Sequence, residues 1–425
     1  MILRARTLVP VTAPPLEDGA VLILDGRIVA AGRWADVRPH ASGPVTDLGD
    51  SLLMPGFVNA HCHLDYTDLA GQLAPSRNFT EWLKSIHAAK SAWGFSEYAA
   101  SWLTGARQLL ESGTTTVANI ESVPELLGVC RAATPLRVWS FFELTALRPK
   151  VSPMHLVEAA AQLLQSSEPG RGGLGLSPHA PYSTTPDLLT ATGRAAIEHR
   201  WPVTVHVAES EAEFEMFMYR RGPMYDWLSS QRPMDDCGLG SPVRALERSG
   251  LLNRSLLAVH VNRLWHDDAR LLGERGASVV HCPQSHAYFH HPRFPRPELE
   301  ATGTLLCLGT DSLASTHRPR DPRPRLSMFD EIRALAQTDA LLEPQRILEM
   351  ATVNGARALG QAGQLGELVP GAWADLTSFP FAGSPDAAVE AILHHEGLVT
   401  GTMIGGEWVS GRGSIPDSSP ADAIS

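Results

Sequence analysis

Pro55-Gly56-Phe57-Val58-Asn59-Ala60-His61-Cys62-His63-Leu64 is an apolar run that ends in two histidines. Read as a β-strand, it sends successive side chains to opposite faces, so His61 and His63 share one face at the strand's end. Two imidazoles placed in this way are a ready pair of metal ligands. The bland alternative is two surface histidines that fall two residues apart by chance, and the rest of the chain has to decide between them.

Seven further runs of the same apolar character follow: Thr114 to Ile120, Arg137 to Leu144, Leu174 to His179, Val203 to Glu209, Leu256 to Asn262, Ser278 to Cys282 and Thr304 to Asp311. Helix-like segments such as Ala99 to Glu111 and Leu326 to Gln337 fall between them. Near-continuous apolar strands are those buried on both faces, and eight of them alternating with helices predict a (β/α)8 TIM-type barrel over residues 55–360. Residues 1–54 instead carry short β-type runs, Val21 to Leu24 and Arg27 to Ala31, around an Asp25-Gly26 turn. Residues 361–425 return to β and turn composition, with Gly405-Gly406 ahead of Glu407-Trp408-Val409. The two chain ends therefore predict one discontinuous, small β-sandwich domain beside the barrel.

Composition narrows the function. The chain has 46 acidic against 35 basic residues, a formal net charge of -11 and no long basic block. The electrostatic footprint of a nucleic-acid binder is missing, and a small-molecule partner is expected. Pro10, Pro14 and Pro15 interrupt the first aliphatic stretch, so neither a signal peptide nor a membrane span is read there and a cytoplasmic location is expected. Five cysteines, an odd number without a Cys-x-x-Cys pair, argue against a disulfide framework and a structural zinc knot. A homodimer is the default oligomeric expectation.

In a (β/α)8 barrel the active site lies at the C-terminal ends of the strands, so polar residues that end apolar runs are the candidates. Here these are His61 and His63, Glu143, His179, His206 and Glu209, His260 and Asn262, His281, and Asp311. A divalent metal wants neutral imidazoles and a carboxylate, with one position left for water. His61, His63, His206 and Asp311 supply that set, and no strand-terminal lysine calls for a bridged pair of metals. One ion is expected: Zn2+ first, with Fe2+ and Mn2+ accepting the same ligands. Water on such an ion ionises near neutral pH and becomes a nucleophile. Glu209 is placed to take the water proton and deliver it to substrate. His260 is left over as a second base that orients the nucleophile, the alternative being a core histidine. His179, in Ser177-Pro178-His179-Ala180-Pro181-Tyr182, either donates to substrate or holds its Pro-bounded loop.

Taken together, these motifs resemble the amidohydrolase superfamily, in its branch of nucleobase and nucleoside deaminases and chlorohydrolases. Pro55 to His63, Ser177 to Tyr182, His206-Val207-Ala208-Glu209, His281-Cys282-Pro283, Leu308 to Ala314 and Ala351 to Arg357 occur in that family's order. The resemblance implies that His61, His63, His206 and Asp311 hold the metal, that Glu209 and His260 shuttle protons, and that Asp311 also serves the leaving ammonia. The cytidine-deaminase zinc signature is different, and its His-x-Glu and Pro-Cys-x-x-Cys elements are missing here.

Within that branch, His63-Leu64-Asp65-Tyr66, Asn78 to Leu83, and the Glu211 to Gly250 segment look most like the aminodeoxyfutalosine deaminases of the futalosine route of menaquinone biosynthesis. The resemblance thus implies conversion of 6-aminodeoxyfutalosine to futalosine and ammonia. S-adenosylhomocysteine, methylthioadenosine and guanine deamination, triazine-type chlorohydrolysis, and more remotely a catalytically silent binding barrel stand as alternatives. Arg148, just past the third strand, is the expected partner of the benzoate carboxylate, so His179, Glu209 and Arg148 form the expected substrate contacts. Three points limit the likeness: His286 stands where relatives carry Asn, Thr316 to Arg325 is a Pro/Arg-rich insertion, and of the acidic run Glu209, Glu211, Glu213 and Glu215 only Glu209 is assigned chemistry.

Overall fold

The computed structural model describes residues 1–40, 43–74, 76, 78–147, 152–168, 170–316 and 324–411. The chain opens with β1 (Ile2–Leu8), β2 (Leu16–Leu24), β3 (Arg27–Arg33), β4 (Val45–Asp47) and β5 (Ser51–Pro55). Eight strands follow: β6 (Phe57–Cys62), β7 (Thr114–Glu121), β8 (Arg137–Leu144), β9 (Gly173–Pro178), β10 (Val203–Val207), β11 (Leu256–His260), β12 (Ser278–His281) and β13 (Leu305–Leu308). The described chain ends with β14 (Leu376–Pro380), β15 (Gly401–Ile404) and β16 (Glu407–Gly411).

Strands β6 to β13 lie side by side in sequence order, every pair parallel, with helices between them. This is the TIM-type barrel that the eight apolar runs predict. All residues of β6, β7, β10, β11 and β12 are buried, because helices cover the outer face while side chains fill the inside.

The barrel closes at one point, a parallel bridge between Cys62 and Asp311. Asn59 strengthens this seam from both sides of its amide. Its Nδ2 donates to Thr310 Oγ1 at 2.8 Å, and its Oδ1 accepts from the Thr310 N–H at 3.1 Å. Gly309 is required there, since a Cβ would fall 2.8 Å from the His61 carbonyl oxygen.

Several strands are shorter than the apolar runs that foretell them: β10 stops at Val207, β11 at His260 and β13 at Leu308. The chain leaves the ladder through residues in the left-handed region, with φ of 52° at Ala208, 74° at His260, 49° at Val261 and 53° at Asp311. Non-glycine residues are held in that region only where the surroundings over-determine them, which is common at active sites. The runs stay apolar past the turn because these residues remain buried.

Both chain ends join in one mixed sheet, in the order β16-β15-β14-β5-β1-β2-β3 with β4 on β1. Strand β14 pairs antiparallel with β5, opposing Leu376 to Pro55 immediately before the barrel begins. A buried ion pair between Arg137 Nε and Asp375 Oδ2, 2.5 Å long, fixes this sheet to β8. The N-terminal region also holds a one-turn helix, Trp34–Val37, that carries no helical signal in the sequence.

Candidate active site

The seam of the barrel carries a cluster of metal-type donors. His61 lies in β6, His63 just past it, His206 in β10, His260 at the end of β11, and Asp311 past β13. One donor atom from each of His61, His206, His260 and Asp311 lies within 4.8 Å of all the others. His63 Nε2 joins them, 3.2 Å from His206 Nε2 and 3.7 Å from Asp311 Oδ1, while His61 Nε2 lies 3.5 Å from the same oxygen. Two nitrogens bound tetrahedrally to one zinc at about 2.05 Å stand about 3.3 Å apart, so the His63–His206 spacing is that of two ligands sharing an ion.

The unmet hydrogen-bonding capacity points the same way. Both His61 ring nitrogens and His260 Nε2 are buried without a partner, and buried polar atoms in native proteins are rarely left so. His206 Nδ1 lies 2.8 Å from the His179 carbonyl oxygen, which fixes its proton on Nδ1 and leaves the Nε2 lone pair for the centre. Burial, and then the neighbouring His61, lowers His206 to about 4; burial also holds His63 and His260 well below the usual imidazole range. All three are therefore neutral, the form in which imidazole coordinates. The donor set and its orphaned atoms fit a divalent cation.

Glu209 faces this cluster from the turn after β10, its Oε1 3.5 Å from His260 Nε2. Burial, followed by Asp311 and Glu213, pushes its carboxyl well above the ordinary carboxylate range. Two residues without an expected role build its turn. The Glu213 carboxylate accepts from the Ala208 N–H at 3.1 Å and the Glu209 N–H at 2.8 Å. Asn262 Nδ2 donates to the Glu209 carbonyl at 3.0 Å, and Asn262 Oδ1 lies 3.0 Å from His286 Nδ1. His286 thus acts through Asn262 on the backbone of Glu209.

A cavity of about 470 Å3 opens over the cluster. His179 lines it, with Nδ1 2.6 Å from Ser183 Oγ and Nε2 3.9 Å from Glu143 Oε1. The outer wall is apolar and aromatic, built from Phe79, Trp82, Leu83 and Ile86 on the helix Phe79–Lys90, together with Trp227 and Leu228. Lys90 lines it too, unforeseen by strand-end reasoning because it ends a helix. The signal was present: Phe79, Trp82, Leu83 and Ile86 form a stripe at i, i+3, i+4 and i+7, and Lys90 at i+11 continues it. Arg148 and most of the Thr316 to Arg325 insertion lie outside the described residues.

Comparison with known proteins agrees with this geometry. The profile of the Amidohydrolase family matches residues 52–409. A 5-methylthioadenosine/S-adenosylhomocysteine deaminase of Syntrophobacter fumaroxidans is 32% identical over 380 residues, covering 86% of this chain and 80% of its own. An aminodeoxyfutalosine deaminase of Deinococcus radiodurans is 27% identical over 362 residues, covering 81% and 82%. Among solved structures, an adenosine deaminase from Xanthomonas campestris with bound zinc superposes with a TM-score of 0.84 at 27% identity, over 99% of this chain and 95% of the other.

Proposed function

Because the chain belongs to the amidohydrolase family, which spans residues 52–409 of it, we propose that it is a metal-dependent hydrolase that deaminates adenosine-type nucleosides. The observation that carries this reading is the Glu209 carboxyl, 3.5 Å from the His260 imidazole, set beside a metal-type donor set at the floor of one cavity. Displacing an aromatic amine by water needs a proton donor for the ring nitrogen and a base for the water, and these two groups supply them. His61, His63, His206 and Asp311 are the residues we assign to hold the ion, with residues 55–360 as the catalytic unit. A divalent ion held there supplies Lewis acidity and brings the ionisation of water toward neutral pH.

The proton inventory closes on the chain's own groups. Glu209 gives its proton to the ring nitrogen next to the amino-bearing carbon, which then accepts water. His260 takes the first water proton, and Asp311 carries it to the leaving amine. As the carbon-nitrogen bond breaks, one water proton leaves with ammonia and the other returns to Glu209, so nucleoside and water become the oxo product and ammonia.

The aromatic outer wall suits a nucleoside whose 5′ carbon carries an apolar group. The relative at 32% identity favours 5′-methylthioadenosine or S-adenosylhomocysteine. A second reading, 6-aminodeoxyfutalosine in the futalosine route of menaquinone biosynthesis, is favoured by the Deinococcus relative and by the Asn78 to Leu83 motif. Arg148 is then the partner we assign to the benzoate, and Arg148→Met should raise the Michaelis constant for that substrate alone.

Ammonia release from adenosine, 5′-methylthioadenosine, S-adenosylhomocysteine, 6-aminodeoxyfutalosine and guanine tests the proposal. Turnover of at least one adenine nucleoside far above guanine is expected. Activity confined to guanine, or to none of the five with full metal loading, overturns it.

A further inference from the structure

Lys90 and Glu143 line the cavity, but the chemistry above uses neither. Lys90 donates one proton to the Tyr66 hydroxyl. Its Nζ stands 3.9 Å from the Tyr66 ring centre and 5.7 Å from that of Tyr98. The Tyr66 ring in turn stacks on His63, with centres 5.1 Å apart and planes at 7°. The ammonium is therefore held one aromatic ring away from a metal-type ligand.

Glu143, near the end of β8, stands in the same relation to the other side of the site. Its Oε1 lies 3.9 Å from His179 Nε2, too far for a hydrogen bond, and the His179 ring lies 4.7 Å from that of His206. Its side chain is 14% exposed, and the structure shows no donor to its oxygens among the described residues. Burial raises the Glu143 carboxyl while the charge of Lys90 lowers it, so the two groups act on each other. In one cavity, then, a half-buried ammonium has two protons to give and a half-buried carboxyl has empty acceptor sites, both open to a polar ligand.

Resting on the reading of the site as a nucleoside deaminase, we propose that Lys90 and Glu143 together grip the two ribose hydroxyls of the substrate. Glu143 accepts from the 2′ and 3′ O–H groups, and Lys90 donates to one of the two oxygens. A purine interposes one flat ring system between the carbon that loses ammonia and the sugar. Lys90 and Glu143 each stand one ring out from an imidazole of the proposed metal set. A neutral diol suits the pair better than an anion, which would meet the Glu143 and Asp65 carboxyls that surround Lys90.

The test uses holoenzyme, with kcat/KM measured for adenosine and 5′-methylthioadenosine against their 2′-deoxy and 3′-deoxy counterparts. Sites built to hydrogen-bond a hydroxyl reject analogues that lack it, so the wild type should prefer the ribosides by roughly 100-fold or more. In Lys90→Met and in Glu143→Gln the ratio should collapse to below about tenfold, while Lys90→Arg keeps most of it. Metal content and melting temperature verify that each variant is folded, and if Lys90→Met is not, Glu143→Gln carries the test. A purely structural role would lower activity on every substrate and leave the ratio intact, which overturns the inference, as does a wild type indifferent to the hydroxyls. A wild type inert toward every riboside overturns the functional reading itself.

Discussion

Glu209 Oε1 and His260 Nε2 lie 3.5 Å apart at the ends of the adjacent strands β10 and β11. Burial acts on them in opposite senses, raising the acid and lowering the base. Burial thus disfavours the charged form of each. One member can give a proton while the other can take one, which is the condition for working as acid and base in the same turnover.

Glu209→Gln should keep the metal and lose about 10²–10⁴-fold in kcat, since it removes a proton without removing a ligand. Elemental analysis beside a deamination assay checks both halves. Loss of the metal in this variant would make Glu209 a ligand and refute the division of roles.

Gly309→Ala should separate the seam. Its new Cβ would meet the His61 backbone, and overpacking of this kind costs about 1–3 kcal/mol. We expect a lower melting temperature together with weaker metal binding, because the backbone displaced belongs to a proposed ligand. Unchanged metal affinity, read by competition with a chelator, would mean that His61 does not bind the ion.

Asn59→Ala removes a buried amide that bonds twice to Thr310. Leaving those partners unsatisfied costs about 1–3 kcal/mol. Urea unfolding should show this loss in the metal-free protein, and metal affinity should fall by about 10–100-fold, as is usual when a group that supports ligands is lost.

The pH dependence of stability follows from two buried carboxyls outside the donor set. Burial raises Glu213 to about 7 and Glu331 to about 8, although each accepts hydrogen bonds that oppose the rise. Both hold protons in the fold that the unfolded chain releases near pH 4.3. The native state thus binds more protons between pH 4.3 and about 8. Its extra stability is fully present below that range and is lost as pH rises through it. Below about pH 6.5 the buried histidines, held neutral in the fold, act in the opposite sense, so the fall is expected in urea midpoints between pH 7 and 8.5. Glu331→Gln, whose amide can still accept from Gln284, should flatten the slope; an unchanged slope would refute the assignment.

The sequence makes some of this legible and hides the rest for physical reasons. His61, His63, His206 and Asp311 can be found because each ends an apolar strand, and barrel geometry brings strand ends to one face. The strand limits are misread at Ala208, His260 and Asp311, because nothing in composition signals a positive φ in a buried segment. Lys90 is missed by a search confined to strands, although its helical spacing marks it. Glu213 is passed over as one of an acidic run, yet only the fold shows that it faces inward and clamps the turn of Glu209. Asn262 and His286 act through a chain of contacts that no local pattern encodes.

The seam at Cys62 and Asp311 sets an order of events during synthesis. Asn59 and Thr310, which clasp across it, are 251 residues apart in the chain. A ribosome releases His61 and His63 long before it makes Asp311, so a partly made chain carries imidazoles without the carboxylate that completes them. Such a fragment can hold an ion only loosely, and full loading waits for the last strand. On the proposed ligand set, full loading is expected only once residue 311 is in place, and chains halted before it should be recovered without the ion.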